Sequence, residues 1–297
     1  MGEILQVIVN ALSLGSLHAL LALGLVMVFG ILKLVNFAYG ELIMVAGYTW
    51  YVLQPSWVPL LLIMVVAIAA VIFTSVATER IAFRPLRSGT MNAMLITSFA
   101  VSTVLQSSAL IFISPRPSVI NVPSWLTTYV SIGPAQISVL NLVIFGVSML
   151  TLLGLMLIMQ KTRLGITLRA AADDFRMLQL LGIRADQVIA MAFVISGLLA
   201  GIAGVLWVSR IGMVWPTIGM TPLLIAIIAI VVGGMNSLKG AIVGGFFMGG
   251  LHIIMQTFLP QNLLAFMDAF IFGVVILVLV FRPEGIVKAR LQTERIG

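Results

Sequence analysis

Long stretches of this chain carry no charged side chain, among them residues 4–32, 42–78, 88–115, 117–160, 211–238 and 240–267. Each exceeds the roughly 20 residues that take an α-helix across the hydrocarbon core of a bilayer. In lipid every backbone polar group must be satisfied within the chain, so stretches of this kind fold as spanning helices. Charged residues make up only 8% of the 297 residues, against roughly 25% in a soluble domain. A soluble fold is excluded. The expected fold class is all-α: a polytopic transmembrane helical bundle of about eight to ten spans, some of them discontinuous. The run from Ile4 lacks a basic leader and a small-residue cleavage pattern, so it reads as a retained first span.

Breaking the runs at Pro, Gly and polar clusters gives segments at 4–32, 40–54, 58–78, 89–113, 137–160, 188–209, 222–232, 241–259 and 263–281. The connections alternate in charge. Lys33, then Arg80, Arg84 and Arg87, then Lys161, Arg163, Arg169, Arg176 and Arg184, then Lys239, then Arg282, Lys288, Arg290 and Arg295 fall on one side, fourteen of sixteen cations. Arg116 and Arg210 face the other way. Basic residues confined to short loops are orientation signals, not a nucleic-acid surface, and they put the N-terminus outside and the C-terminus in the cytoplasm. The Pro-rich loop 114–136, with Trp125 and Tyr129, is then an external lid or rim.

Two segments are too short for plain spans. Segment 40–54 follows NFAYGE (Asn36 to Glu41), and 222–232 lies between Pro216 and GGMNSLKG (Gly233 to Gly240). Helices interrupted by Gly or Pro often expose backbone and helix ends to a central aqueous pathway. Glu41 heads a strongly apolar helix, where a carboxylate is costly unless it meets water or a partner. It either stabilises that helix start through the macrodipole or lines the pathway. Asn36, Tyr39, Glu41, Asn236 and Ser237 are the candidate polar lining of a pathway. Gly245 and Gly249, four apart, favour close helix packing.

Residues 161–187 depart from the membrane pattern. Leu168, Ala171, Phe175, Leu178 and Leu181 recur at spacings of three or four, Arg169, Asp173 and Arg176 can pair opposite them, and Gly182 supplies a left-handed cap. One amphipathic helix is expected, its apolar face buried in headgroups or in a partner protein. Asp173 and Asp174 and the narrowness of the face favour the partner.

Several chemistries are excluded. There is no cysteine, hence no disulfide or thiolate chemistry, and His18 and His252 sit in separate apolar runs, so no metal site is expected. Each histidine reads as a packing hydrogen-bond partner. No G-x-x-x-x-G-K-[ST] loop is present, so the chain has no ATPase site of its own. The long spans almost lack the membrane-centred charges of a proton-driven carrier. No loop carries a clustered nucleophile, carboxylate or histidine set, and the chain is not expected to be an enzyme.

Six blocks, in order, give a resemblance: LVNFAYGELIMVAGY (Leu34 to Tyr48), ERIAFRPLR (Glu79 to Arg87), RLGITLRAAADDFRMLQLLGI (Arg163 to Ile183), FVISGLLAGIAGVL (Phe193 to Leu206), GGMNSLKGAIVGG (Gly233 to Gly245) and FRPEGI (Phe281 to Ile286). Over nearly its whole length the chain resembles the permease subunits of branched-chain amino-acid ABC importers, the first of the two paired types. The resemblance implies a single permease domain over 1–297, with a coupling-helix loop at 161–187, in a bacterial inner membrane. It implies a second permease subunit, a paralogue giving a heterodimer, two cytoplasmic ATPases holding ATP and Mg, and an external substrate-binding protein. The chain itself takes no cofactor. The coupling helix of related permeases maps onto Gly165, Arg169, Ala172, Asp173, Asp174, Leu178, Leu181 and Gly182, with Leu178 and Leu181 as apolar anchors in an ATPase groove. Tyr39 stands where many relatives carry His, and Asn236, Leu238 and Lys239 replace the more common small and Ile-Pro residues of that block. Permeases for urea and short amides share these blocks and stand as the alternative.

Overall fold

A computed structural model of the chain describes residues 2–55, 58–86, 89–132, 135–235 and 237–287. Asn236, Arg87, Lys288, Arg290 and Arg295 therefore lie outside the described residues, as do the side chains of Phe175 and Arg176. Among the described residues seven helices are long and apolar enough to cross a membrane. The bundle expected from the uncharged runs is observed.

Helix α1 (Gly2–Leu32) is the axis, with every residue from Ser13 to Phe29 buried. A short 3-10 turn (Phe37–Tyr39) leads into the half-length helix α2 (Glu41–Leu53). Then come α3 (Leu60–Thr78), which unwinds through one wider turn at Glu79–Phe83, and α4 (Met91–Phe112). The loop between α4 and α6 carries strand β1 (Ser118–Val119), the turn α5 (Ser124–Thr127) and the hairpin β2 (Tyr129–Ile132) with β3 (Ala135–Ser138). Helix α6 (Val139–Lys161) returns to α7 (Arg163–Asp173) and α8 (Phe175–Leu180). Helix α9 (Ala185–Ile211), strand β4 (Met213–Val214), the half-helix α10 (Met220–Gly233), α11 (Leu238–Phe258) and α12 (Met267–Phe281) complete the chain.

The second half repeats the first in the opposite direction. Helix α1 packs along α11 as α9 packs along α3, and α2 lies on α9 as α10 lies on α1. Gly30 near the end of α1 sits beside Ala172 of α7, so α1 ends where α9 begins and the two run antiparallel. Each is followed by a non-helical return and a half-helix. Small residues make the central seams. A Cβ on Gly245 would strike the Ala19 backbone and one on Gly249 the Gly15 backbone, so the packing role read from their spacing holds. Around this core, α4, α6 and α12 present apolar side chains outward, among them Phe112, Leu150 and Val280, as a lipid-facing surface requires.

Residues 161–187 differ from the single helix expected. The helix breaks at Asp174 (φ −147, ψ 97), whose Oδ1 accepts from the Met177 N–H at 2.9 Å and so caps α8. Aspartate competes well for such backbone donors and is a poor helix interior, which is the physical reason for the break. Gly182 takes the left-handed conformation anticipated for it, with φ +80. Among the described residues no ion pair joins Arg169 to Asp173.

Candidate functional site

The two half-helices begin at one place. Gly40 caps α2 and Gly219 caps α10, and a Cβ on either would be driven into the other's backbone. From this junction the helices leave in opposite directions. Gln54, just past α2, donates to the Val119 carbonyl and accepts from the Asn121 N–H in the loop between α4 and α6. That loop joins Met213 and Val214 beyond α9 through the β1–β4 pair. At the far end of α10, the N–H groups of Ile286 and Val287 donate to the carbonyls of Val232 and Gly233. Two helix N-termini, each the positive end of a macrodipole, thus converge inside the bundle.

Three sequence-predicted lining residues gather at this junction. Asn36 is buried, and its Oδ1 accepts from the Ala38 N–H at 3.1 Å, closing the turn. Tyr39 is buried against Gly24 of α1, and its hydroxyl has no partner. Glu41, the first residue of α2, is fully buried. Its Oε1 accepts from Ser102 Oγ at 2.9 Å and from Gln106 Nε2 at 2.7 Å, both on α4, while Oε2 has no partner. Stacked rings of Phe37 and Phe99, 3.9 Å apart, hold the turn against the same helix. The sequence reading missed Ser102 and Gln106. The signal was two polar residues four apart on an apolar span.

Ser237 lies elsewhere. Its Oγ accepts from the Gly240 N–H at 3.1 Å and caps α11, about 20 Å from the junction by the length of a 14-residue helix. There it lines a cavity of about 630 Å³ with Met27, Lys33, Arg169, Asp173 and Lys239. Lys33 follows α1, Arg169 lies on α7 and Lys239 on α11, so the cavity gathers cations from three separate connections on one end of the bundle, as the charge alternation requires.

The coupling candidates divide by exposure. Gly165 lies tightly against the Ile158 and Met159 backbone, and Leu168, Ala171 and Leu178 are buried in the chain. The apolar face read as a docking face is thus turned largely inward, with Leu178 in the core. Met177, Leu180 and Leu181 point out instead, Leu181 72% exposed. Asp173, Asp174, Arg169 and Gly182 are exposed and Ala172 is half-buried. Among the described residues no His, Cys, Asp and Glu group could hold a metal.

The family model described as branched-chain amino acid transport system / permease component matches residues 7–280. The high-affinity branched-chain amino acid transport system permease protein BraD of Pseudomonas aeruginosa is 35% identical, covering 98% of each chain. The corresponding proteins LivH of Salmonella typhimurium and Escherichia coli are 33% and 32% identical, each covering 98% of this chain and 97% of its own. No solved structure matches.

Proposed function

The chain belongs to the family of branched-chain amino acid transport system permease components, and from that premise we propose that it forms half of the membrane pathway of an ATP-driven importer of branched-chain amino acids. The observation that carries the reading is a family match over nearly the whole chain, joined to two half-helices that start together inside the bundle. Relatives named for branched-chain amino acids favour that substrate over urea or short amides. The complete importer, in the bacterial inner membrane, has a second permease subunit, a paralogue, with two cytoplasmic ATPases that hold ATP and Mg and an external binding protein. The basic end that gathers Lys33, Arg169 and Lys239 faces the cytoplasm, and the N-terminus faces out.

This chain performs no covalent step. ATP binding closes the ATPases, and the movement reaches the permease through α7 and α8. The pathway then favours the outward-facing state by the difference in binding between the two states. Residues 161–187 are the coupling loop. Met177, Leu180 and Leu181 supply exposed apolar surface for an ATPase groove, while Leu178 holds the loop to the chain. The pathway passes the Gly40–Gly219 junction, with Asn36, Tyr39 and Glu41 beside it, and leaves through the cavity at Ser237.

Leucine-, isoleucine- and valine-stimulated ATPase activity of the purified complex with its binding protein tests this reading, with urea and short amides as alternatives. Stimulation by the amino acids is expected. Stimulation by urea or amides alone moves the substrate, and a permease that purifies without any ATPase overturns the assignment. Leu181→Asp is expected to reduce ATPase co-purification at least tenfold with the permease still folded, whereas Leu178→Asp unfolds the loop first.

A further inference from the structure

Helices α1, α9 and α11 enclose a polar cluster that lies neither at the Gly40–Gly219 junction nor among the residues lining the cavity at Ser237. His18, midway along α1, is 1% exposed, and neither ring nitrogen has a hydrogen-bond partner. Its ring centre lies 6.0 Å from that of Trp207 on α9 and 6.4 Å from that of His252 on α11, the latter edge-on. Trp207 is 8% exposed and its Nε1 has no partner. One turn along α9, Arg210 places a buried Nη1 that also has none. Arg210 lies within electrostatic reach of both imidazoles, and Asp268 of α12 within reach of His252. Two histidines from separate apolar runs have become neighbours, and neither nitrogen of His18 makes the packing hydrogen bond expected of it.

The chemistry of the cluster is lopsided. An indole N–H and a guanidinium can only donate, and a neutral imidazole offers one donor and one acceptor. Among the described residues no ion pair includes Arg210. Buried donors without acceptors are costly in an apolar bundle. The group that completes such a set is an anion with two acceptor oxygens. Arg210 and His252 are partly exposed, while Trp207 and His18 are buried. The same helices α1 and α9 carry the half-helices α10 and α2.

We propose that Arg210, Trp207, His18 and His252 form a carboxylate-binding site that holds the α-carboxylate of the amino acid in passage. The proposal rests on the reading of the chain as an amino-acid permease. Arg210 meets the carboxylate first as a charged, two-pronged donor, and the Trp207 N–H fixes the deeper oxygen. The shared chemistry is that of a small anion, so a resident chloride is the other source.

The test uses the assembled importer in nanodiscs. Tryptophan fluorescence is titrated with isovalerate, chloride and isoamylamine, and leucine uptake is measured in proteoliposomes. Isovalerate is expected to give a saturable change that isoamylamine does not, weakened at least tenfold in Arg210→Gln and partly restored in Arg210→Lys. Leucine uptake is expected to fall at least tenfold in Arg210→Gln while the binding protein still docks. If Arg210→Gln does not assemble, Trp207→Phe, which removes one N–H donor, is expected to cut leucine uptake about threefold. No isovalerate signal, an unchanged signal in Arg210→Gln, or unchanged uptake in Trp207→Phe overturns the proposal. A chloride signal with wild-type leucine uptake in Arg210→Gln overturns the substrate role and leaves a resident anion. A wild-type complex that binds isovalerate through Arg210 yet imports no leucine supports the site and overturns the proposed function instead.

Discussion

The two half-helices share a scaffold and differ in their chemistry. Helix α2 starts with Glu41, fully buried and held by Ser102 and Gln106, whereas α10 starts with Met220, 45% exposed. A carboxylate in the first turn compensates the positive end of α2, and nothing in the first turn does so for α10. The same inequality runs through the long seams. The Cβ positions of Gly245 and Gly249 fall on the α1 backbone, while that of Gly201 lies 3.1 Å from the Ile68 Cα of α3. An inverted repeat thus fixes where helices go, and side chains decide what each half does. The α1–α11 and α2–α10 contacts leave no room for change, and the α3–α9 contact leaves a little.

Four tests break or sharpen this contrast. The largest effect belongs to the junction: Gly219→Ala and Gly40→Ala each force a methyl into facing backbone and are expected to cost about 3 kcal/mol or more, read as loss of monodisperse protein. Survival of both at wild-type stability would separate the two half-helices. Next, Gly245→Ala is expected to lower the Tm of the detergent-solubilised permease clearly more than Gly201→Ala, about 3 against 1 kcal/mol. Equal effects would make the two seams equivalent. Third, Glu41→Ala leaves buried Ser102 and Gln106 without their acceptor and is expected to cost about 2 kcal/mol, with Glu41→Gln costing less, in thermal unfolding. The smallest effect is expected for Met220→Glu, a change of less than about 1 kcal/mol, because a carboxylate at a partly exposed helix start is favoured. A loss above about 2 kcal/mol would put that start in lipid and not beside a polar pathway.

Much of this arrangement was legible in the sequence. Apolar segments located every long helix, because a bilayer tolerates nothing else, and the shortness of 40–54 and 222–232 marked the half-helices. Gly182 and the Gly245–Gly249 pair followed from backbone sterics. Other features depend on contacts distant in sequence. The periodicity of 163–181 runs through Asp174, so only the capping bond to Met177 reveals the break. Leu178 and Leu181 look alike in the pattern, yet one packs inward and the other outward, where α8 meets α7 and α9. Ser102 and Gln106 gain meaning only opposite Glu41, and His18 and His252 only where α1 packs along α11. Short-range spacing reports the helices, and pairings across the bundle report the site.

The dependence of α2 on α9 also bears on how the chain is made. Thirteen residues are too few to settle in a bilayer alone, and the face of α2 that carries Ile43 and Ala46 is closed by Gly204. That partner emerges from the ribosome about 160 residues later, on the order of ten to thirty seconds at roughly 5–20 residues per second. Throughout that interval the newborn first half holds an unfinished helix with a carboxylate at its head. The insertion machinery must shelter Glu41 until Ser102 and Gln106 of α4 arrive, and the open face of α2 until the second half closes over it.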